Sequence, residues 1–343
     1  MSVHLRRSDE NSREIEALAV LLGGRVGLDG VLDDLNRRGR RAWGAFGRAV
    51  HRAVTWDAAD RRDPHWWPQG ISTSADATDE EDLEGRRVVL VSWYSKAGEG
   101  SRISFLDLDT LRYRHVLLVV PELAADGTVR LEPLKVHAGG IVWCGPYLHV
   151  AATARGFMTC RMDDLMRVPD DRAGALETHG YRYLLPVRFT YRADADEGHE
   201  RMRFSFLSID RGADPPALVA GEYGRHRQTT RLARFPLDPR TLHLVAGDDG
   251  VSRPVLLDDG GVVQMQGAVV ARGRYHVTAS KGPWTPGSVY VGGPGAFRRF
   301  RWATPIGPED VSYWPSRDQL WSVTEHPRRR WVFSMRRDWF DRR

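Results

Sequence analysis

Lysine and cysteine are scarce in this chain, and long apolar runs are absent. Lysine occurs only at Lys96, Lys135 and Lys281, so nearly all of the 50 basic residues are arginine. That skew fits a GC-rich genome and demands no special guanidinium chemistry. No stretch approaches the roughly 18 apolar residues that a bilayer-spanning helix needs. The polar opening residues and the short apolar run from Ala17 to Leu22 do not form a secretory signal. A cytoplasmic protein is expected.

Several catalytic signatures are missing. There is no GxSxG elbow, P-loop, HExxH or GxGxxG after a strand. Serine-triad hydrolysis, nucleotide hydrolysis and nicotinamide binding are therefore disfavoured, and no cofactor is expected. The two cysteines, Cys144 and Cys160, lack CxxC spacing and suggest no zinc site. Both fall in one repeat unit with a strand between them, too far apart for a disulfide, so free thiols and a reducing compartment are expected.

What is present describes a globular protein of 343 residues, 41% apolar and 28% charged. The formal net charge is +5, with arginine clusters at Arg37-Arg38, Arg40-Arg41, Arg328 to Arg330, Arg336-Arg337 and Arg342-Arg343. No nucleic-acid motif accompanies them, so a solvated surface is the favoured reading and no nucleic-acid partner is expected.

A phrase returns along the chain. His137-Ala-Gly-Gly-Ile-Val-Trp-Cys-Gly-Pro-Tyr-Leu-His-Val150 is echoed by Gln264-Met-Gln-Gly-Ala-Val-Val-Ala-Arg-Gly-Arg-Tyr-His-Val277. Looser echoes start at Pro68-Gln-Gly-Ile71 and Pro308-Glu-Asp-Val311. Short strands follow one another from Pro68 onward, punctuated by glycine and proline. Repetition on this scale, built from strands, indicates an all-β β-propeller of five blades, or six small ones. A pair of β-sandwiches would explain the strands but not the echo.

Residues 1–60 read differently and predict a helical extension packed on a propeller spanning 61–343. Ile15, Leu18, Leu21 and Leu22 recur at helical spacing, and Trp43, Phe46, Val50 and Val54 form a second stripe. That stripe is compatible with a basic amphipathic membrane or partner helix, but a face packed on the core is favoured. Asp57 to Trp67 reads as a polar linker.

The phrases Trp67-Pro-Gln-Gly-Ile71, His137 to Trp143 and Leu320-Trp-Ser-Val-Thr-Glu-His-Pro327 resemble those of a group of largely uncharacterised actinobacterial propeller-like proteins, often labelled secreted. The resemblance covers Trp67 to the carboxyl end. It implies the fold and no catalytic residue, and the absence of a signal leaves an intracellular, biosynthetic role open.

In a propeller the innermost strand of each blade lines a channel, and its first residues face the mouth. The repeat starts offer Gln69, His137, Gln266 and Glu309, with Asp310 beside the last. Their register is uncertain by two residues, because the echo pairs His137 with Gln264. His137 is expected as a general base oriented by Glu309, with Asp310 a second carboxyl, and Gln69 and Gln266 as substrate-binding groups. Trp67, Trp143 and Tyr313 are expected nearest that ring and able to hold a substrate. One histidine and one or two carboxylates make an incomplete metal shell, so no metal is expected. Glu325-His326 is expected to cap a turn. The function expected is cofactor-independent acid–base chemistry (a cyclase, lyase or isomerase, in secondary metabolism) on a small, partly hydrophobic molecule. A non-catalytic ligand-binding or scaffolding propeller is the alternative. No integral membrane segment is expected, and the oligomeric state is undetermined.

Overall fold

A computed structural model describes residues 2–172, 174, 176–225 and 227–342. Arg343, the last member of the terminal arginine pair, lies outside the described residues.

Four-stranded antiparallel meanders succeed one another along the chain, each beginning at the channel and ending at the periphery. The first comprises Trp66–Thr73, Val88–Ser95, Ser101–Asp107 and Arg112–Leu123. Next come Ile141–Cys144, Tyr147–Ala151, Gly156–Arg161 and Tyr183–Ala195. Phe206–Asp210, Ala217–Gly221, Leu232–Pro236 and Leu256–Asp258 follow. After them stand Met265–Ala271, Arg274–Ala279, Ser288–Gly292 and Arg298–Phe300. The last meander, Pro308–Trp314, Gln319–Thr324 and Trp331–Arg336, is completed by Val50–Thr55 from far earlier in the chain. The innermost strands pack side by side in order, and the last packs against the first. This is a β-propeller architecture. One irregularity joins two meanders: Leu184 to Pro186 pairs in parallel with Leu117 to Val119, merging them into one 13-stranded sheet.

Many of these strands are apolar in runs rather than in alternation, because each sheet is covered on both faces by its neighbours. Val88–Ser95, for example, buries its first six residues consecutively. The apolar cores lie between adjacent sheets. Ile71, Val91 and Trp93 of the first meander meet Trp314, Trp321 and Val332 of the last, and Val289 and Val291 meet Leu320 and Phe333. Trp143 is one of these core residues: it is fully buried and its indole donates to the Gly145 carbonyl at 3.0 Å. It is removed from the channel mouth, contrary to the sequence expectation, because its strand turns it between sheets.

The amino-terminal residues are woven into the sheets more than the sequence suggests. Val3–Arg7 pairs with the outer strand Tyr183–Ala195. Helix Ser12–Leu22 forms as expected, buries Ile15, Leu18 and Leu22, and ends at Gly23, whose φ of 85° continues no right-handed helix. The second helical stripe does not form. Val50 and Val54 belong to a strand, while Trp43 and Phe46 lie in a loop and face solvent. Gly44 and Gly47 interrupt that segment, and backbone pairing with Trp331–Arg336 outweighs a weak helical periodicity. The supposed linker also holds structure: helix Ala58–Arg62 is capped by Asp57, which accepts from the Asp60 amide at 2.9 Å.

Cys144 and Cys160 are free and buried, on strands separated by Tyr147–Ala151, as their spacing led us to expect. Burial pushes the Cys144 thiol up to about 12 and raises that of Cys160 as well.

Candidate functional site at the channel mouth

Three innermost strands carry a register break at the same place. It falls between Pro68 and Ile71, between Met265 and Gly267, and between Pro308 and Val311. A bulge takes one residue out of the ladder and re-aims its side chain. Those residues are Gln69, Gln266 and Glu309. In the second meander the echo's register places Gly139 at this level, with His137 two residues earlier. The register ambiguity thus resolves for Gln266 and against His137, which stands at the rim.

The next position round the axis is Gly70, Gly140, Gly267 and Asp310. A Cβ on Gly140 would come within 2.4 Å of the Phe206 Cα, and one on Gly267 within 2.6 Å of the Asp310 Cα. Side chains are excluded where inner strands approach this closely, and the axis has room for one carboxyl. Asp310 fills it. One of its oxygens accepts from the Ile71 and Ile141 amides, both at 3.2 Å, and the other from the Val311 amide at 2.9 Å. Burial raises its pKa well above the usual range, against the effect of those amides. Asp310 is therefore a staple between the first, second and last inner strands. Its carboxyl is fully buried and bonded to three backbone amides, a structural role that the sequence expectation of a catalytic group did not include.

Glu309 lies above this staple. Its carboxyl is buried and accepts from the Gln266 amide group at 3.2 Å. Burial, then the charges of Glu325 and Asp310, raise its pKa well above normal. Its surroundings thus favour the protonated carboxyl over the carboxylate. Glu325, just beyond the Gln319–Thr324 strand, accepts from the Gln69 amide group at 3.2 Å. Burial raises its pKa too, opposed by Gln69, Lys96 and Arg330. Two carboxyls, each held by one glutamine, thus stand at the mouth, near enough for the Glu325 charge to act on Glu309. Glu325 does not cap a turn, as expected from sequence, but points inward. The signal for it was hairpin arithmetic: Pro308 pairs with Thr324, so the residue after Thr324 must stand at the level of the mouth.

Around the carboxyls stand residues of mixed polarity. The Lys96 ammonium sits 3.1 Å from the Trp67 ring centroid, and His326 meets the same ring edge-on at 5.8 Å. Trp67 therefore lies at the mouth, as expected. Gly307, with φ of 69°, lets the chain pass His326, whose Cδ2 would be 2.7 Å from a Cβ there. Tyr94, opposite Trp67 in the ladder, packs on the His137 ring at 4.6 Å between centroids. Burial and the two glutamates push its phenol up to about 12. Burial and then Lys96 lower the pKa of His137, favouring its neutral imidazole. His137 and Tyr94 line a hollow of about 490 Å³ with Lys135, Thr153 and Arg155. His137 is paired with Tyr94, and its expected contact with Glu309 is not among the hydrogen bonds or ion pairs of the described residues.

Tyr313 is at the opposite end of its strand from Glu309. There it donates to Asp318 at 2.8 Å and lines a second cavity of about 610 Å³ with Asp76, Asp210, Arg211, Arg234 and Arg272. The sequence placed it too near the mouth, because Tyr313 lies four positions further along the extended strand than Glu309.

A Ser–His–Asp line exists, though not at the mouth. Ser104 Oγ lies 2.8 Å from His115 Nδ1, and His115 Nε2 lies 2.9 Å from Asp60. Ser104 is wholly buried and receives the Trp93 indole N–H at 2.7 Å. Burial raises Asp60, but His115, Arg102 and Arg37 more than offset it and hold the carboxylate well below its usual range. Burial and then Arg102 push His115 down to about 4. With no room for a substrate, this relay is a structural staple between the Ala58–Arg62 helix and the first sheet. Arg330 links it to the mouth, donating to the Asp60 carbonyl at 2.7 Å and the Glu325 carbonyl at 2.9 Å.

No protein-family model and no curated protein sequence matches the chain. Among solved structures it is similar to the β-propeller domain of Cps50 (Swd1) from Myceliophteria thermophila, with 11% identity, 78% of this chain and 96% of that one covered, and a TM-score of 0.37. It is also similar to a gluconolactonase from Xanthomonas campestris, at 13% identity, 87% and 83% coverage and a TM-score of 0.36. A GH43_1 enzyme from Xanthomonas citri gives 12% identity, 79% and 87% coverage and a TM-score of 0.36. Likeness at this level assigns neither a blade count nor an activity, and two of these proteins are enzymes by name while the first is not so described.

Proposed function

We propose that the meanders are the five blades of one propeller and that its mouth carries out acid–base chemistry on a small, partly hydrophobic molecule, of the cyclase, lyase or isomerase type. The observation that carries this reading is the pair of glutamine-held carboxyls, Gln266–Glu309 and Gln69–Glu325. Among the described residues no cation pairs with Glu309, and burial with two neighbouring carboxyls raises its pKa well above the usual range. It acts as the acid. Glu325, nearer solvent and eased toward ionisation by Lys96 and Arg330, acts as the base. Two carboxyls in unequal surroundings divide these roles without a metal. Neutral His137 and the Tyr94 phenol form the rim against which the substrate is oriented, and Trp67 offers an apolar flank.

The test is proton exchange. Small carbonyl compounds with acidic α-hydrogens are incubated with the protein in D₂O and deuterium incorporation is followed by NMR. Catalysed exchange of at least one compound, lost in both Glu309→Gln and Glu325→Gln, supports the reading. If none exchanges faster than with buffer alone, the acid–base assignment fails. The alternative of a non-catalytic binding propeller is favoured by how little of Gln69 and Glu309 is exposed, 2% each. It is distinguished by line broadening of a compound that binds without exchanging.

A further inference from the structure

The 43–48 loop reverses the usual order of burial. It buries its small residue Ala45, and Ala49 just after it, while Trp43 is 91% and Phe46 80% exposed. Large aromatics are ordinarily the residues withdrawn from water. The loop is nevertheless held firmly. The Arg48 amide donates to the Trp302 carbonyl at 2.8 Å and the Ala49 amide to the Ala303 carbonyl at 3.0 Å. A Cβ on Gly47 would lie 2.6 Å from the Thr304 backbone, so the loop is pressed against the segment that follows the Arg298–Phe300 strand. The anchoring segment brings a third exposed aromatic, Trp302, 51% accessible, with the Arg48 guanidinium 5.2 Å above its ring.

Charge is one-sided here. From Asn36 to Trp56 the chain holds six arginines and no carboxylate, and Arg298, Arg299 and Arg301 flank Trp302 with no acid before Glu309. Arg40, Arg41, Arg48 and Arg301 are exposed. Below Trp43 lies a hollow of about 320 Å³ bordered by Arg41, His51 and Arg52, large enough for one phosphate-bearing headgroup.

We propose that this face docks on an anionic lipid surface, with Trp43, Phe46 and Trp302 entering the interface and the surrounding arginines meeting lipid phosphates. Tryptophan prefers the headgroup level of a bilayer, and clustered arginine is drawn to acidic lipid. Protruding rings on a loop apex suit a yielding interface better than a nucleic acid, which calls for a groove that tracks its backbone. Attachment is peripheral, since among the described residues no helix is long and apolar enough to cross a membrane.

Co-sedimentation with vesicles of phosphatidylglycerol and phosphatidylcholine in equal parts tests this, with pure phosphatidylcholine vesicles as control. The protein is expected to pellet with the former only, and less so as salt is raised. Trp43→Ser with Phe46→Ser is expected to weaken binding at least roughly tenfold, from the apolar area withdrawn. Both side chains are exposed, so the melting temperature should hold. Arg40→Ser with Arg41→Ser should weaken binding and flatten its salt dependence. Absence of pelleting, or pelleting indifferent to both double variants, overturns the proposal. So does a dimer in light scattering that the aromatic variant abolishes, or oligonucleotide binding lost in these variants when no vesicle binding is seen.

Discussion

Gln69 and Glu325 meet at 3.2 Å across the channel mouth, although 256 positions separate them in the chain. Gln69 is displaced from the middle of its strand by a bulge, and Glu325 stands just past the end of its own. The contact brings the first and last meanders together where the proposed chemistry takes place. Gln266 and Glu309 repeat the arrangement at the same 3.2 Å between the last two meanders. Burial makes both carboxyls costly to ionise, and the Gln69 amide offsets part of that cost at Glu325.

Glu309→Gln should therefore separate stability from function. The amide keeps a partner for Gln266 and removes a buried acid whose ionisation is penalised. Unfolding in urea near pH 8 should show the variant at least as stable as the parent, while deuterium exchange is lost. A large drop in stability with exchange retained would make Glu309 a structural residue.

Asp76 should impose a pH dependence on stability. Its carboxyl is buried where Ser72 and Ser312 donate to it, at 2.6 and 2.8 Å. Burial pushes its pKa up to about 6, against those hydrogen bonds and that of the Thr73 amide. The folded chain thus holds this proton to higher pH than the unfolded chain, where aspartate titrates near 3.9. The stabilisation is complete below the unfolded value and is lost as pH rises through about 6. The difference in unfolding free energy between the parent and Asp76→Asn should change by up to about 3 kcal/mol between roughly pH 4 and pH 7. A difference that stays flat across that range refutes the assignment.

The Ser104–His115–Asp60 line should prove structural. Phenylmethylsulfonyl fluoride should leave Ser104 unmodified by mass spectrometry, since no reagent reaches it in the folded protein. His115→Ala should destabilise the fold by about 3 kcal/mol, because it removes a partner from a buried carboxylate. Labelling of Ser104 under native conditions would contradict this account.

Removing the residues before Asp57 should abolish cooperative folding. Val50–Thr55 is the outer strand of the last meander, paired from Trp331 to Met335, and helix Ser12–Leu22 packs on the outer strands Arg112–Leu123 and Tyr183–Ala195 of the first two meanders. Without them an edge and an apolar surface are exposed together. Circular dichroism through a thermal ramp should show no sharp transition; a sharp one would make the segment dispensable.

Much of the fold was legible because its signals are local. The echo between His137 and Gln264, the glycine-bounded strands and the helix at Ile15 to Leu22 all depend on near neighbours along the chain. The site was legible in part: Gln69, Gln266, Glu309 and Trp67 reach the mouth, but Glu325, Tyr94 and Lys96 were not singled out there. Nothing in their own neighbourhoods marks them. Their positions follow from hairpin pairing, which carries a second strand back to the level where the first began. Trp143 and Tyr313 were misplaced for a related reason, since the face and the end a strand residue occupies depend on its register.

By itself the sequence determined that short strands follow one another from Pro68 onward, that they repeat, and that no recognisable nucleotide or serine-hydrolase motif is present. The echo defined a ring of polar positions without saying which of them meet. Tertiary structure decided that Asp310 occupies the axis, because close-packed inner strands leave room for one carboxyl there. It decided that Trp43 and Phe46 face water, because pairing with Trp331–Arg336 draws Val50–Thr55 into the last sheet and leaves the preceding loop outside. Both outcomes depend on neighbours more than two hundred residues away in sequence, which no local pattern encodes.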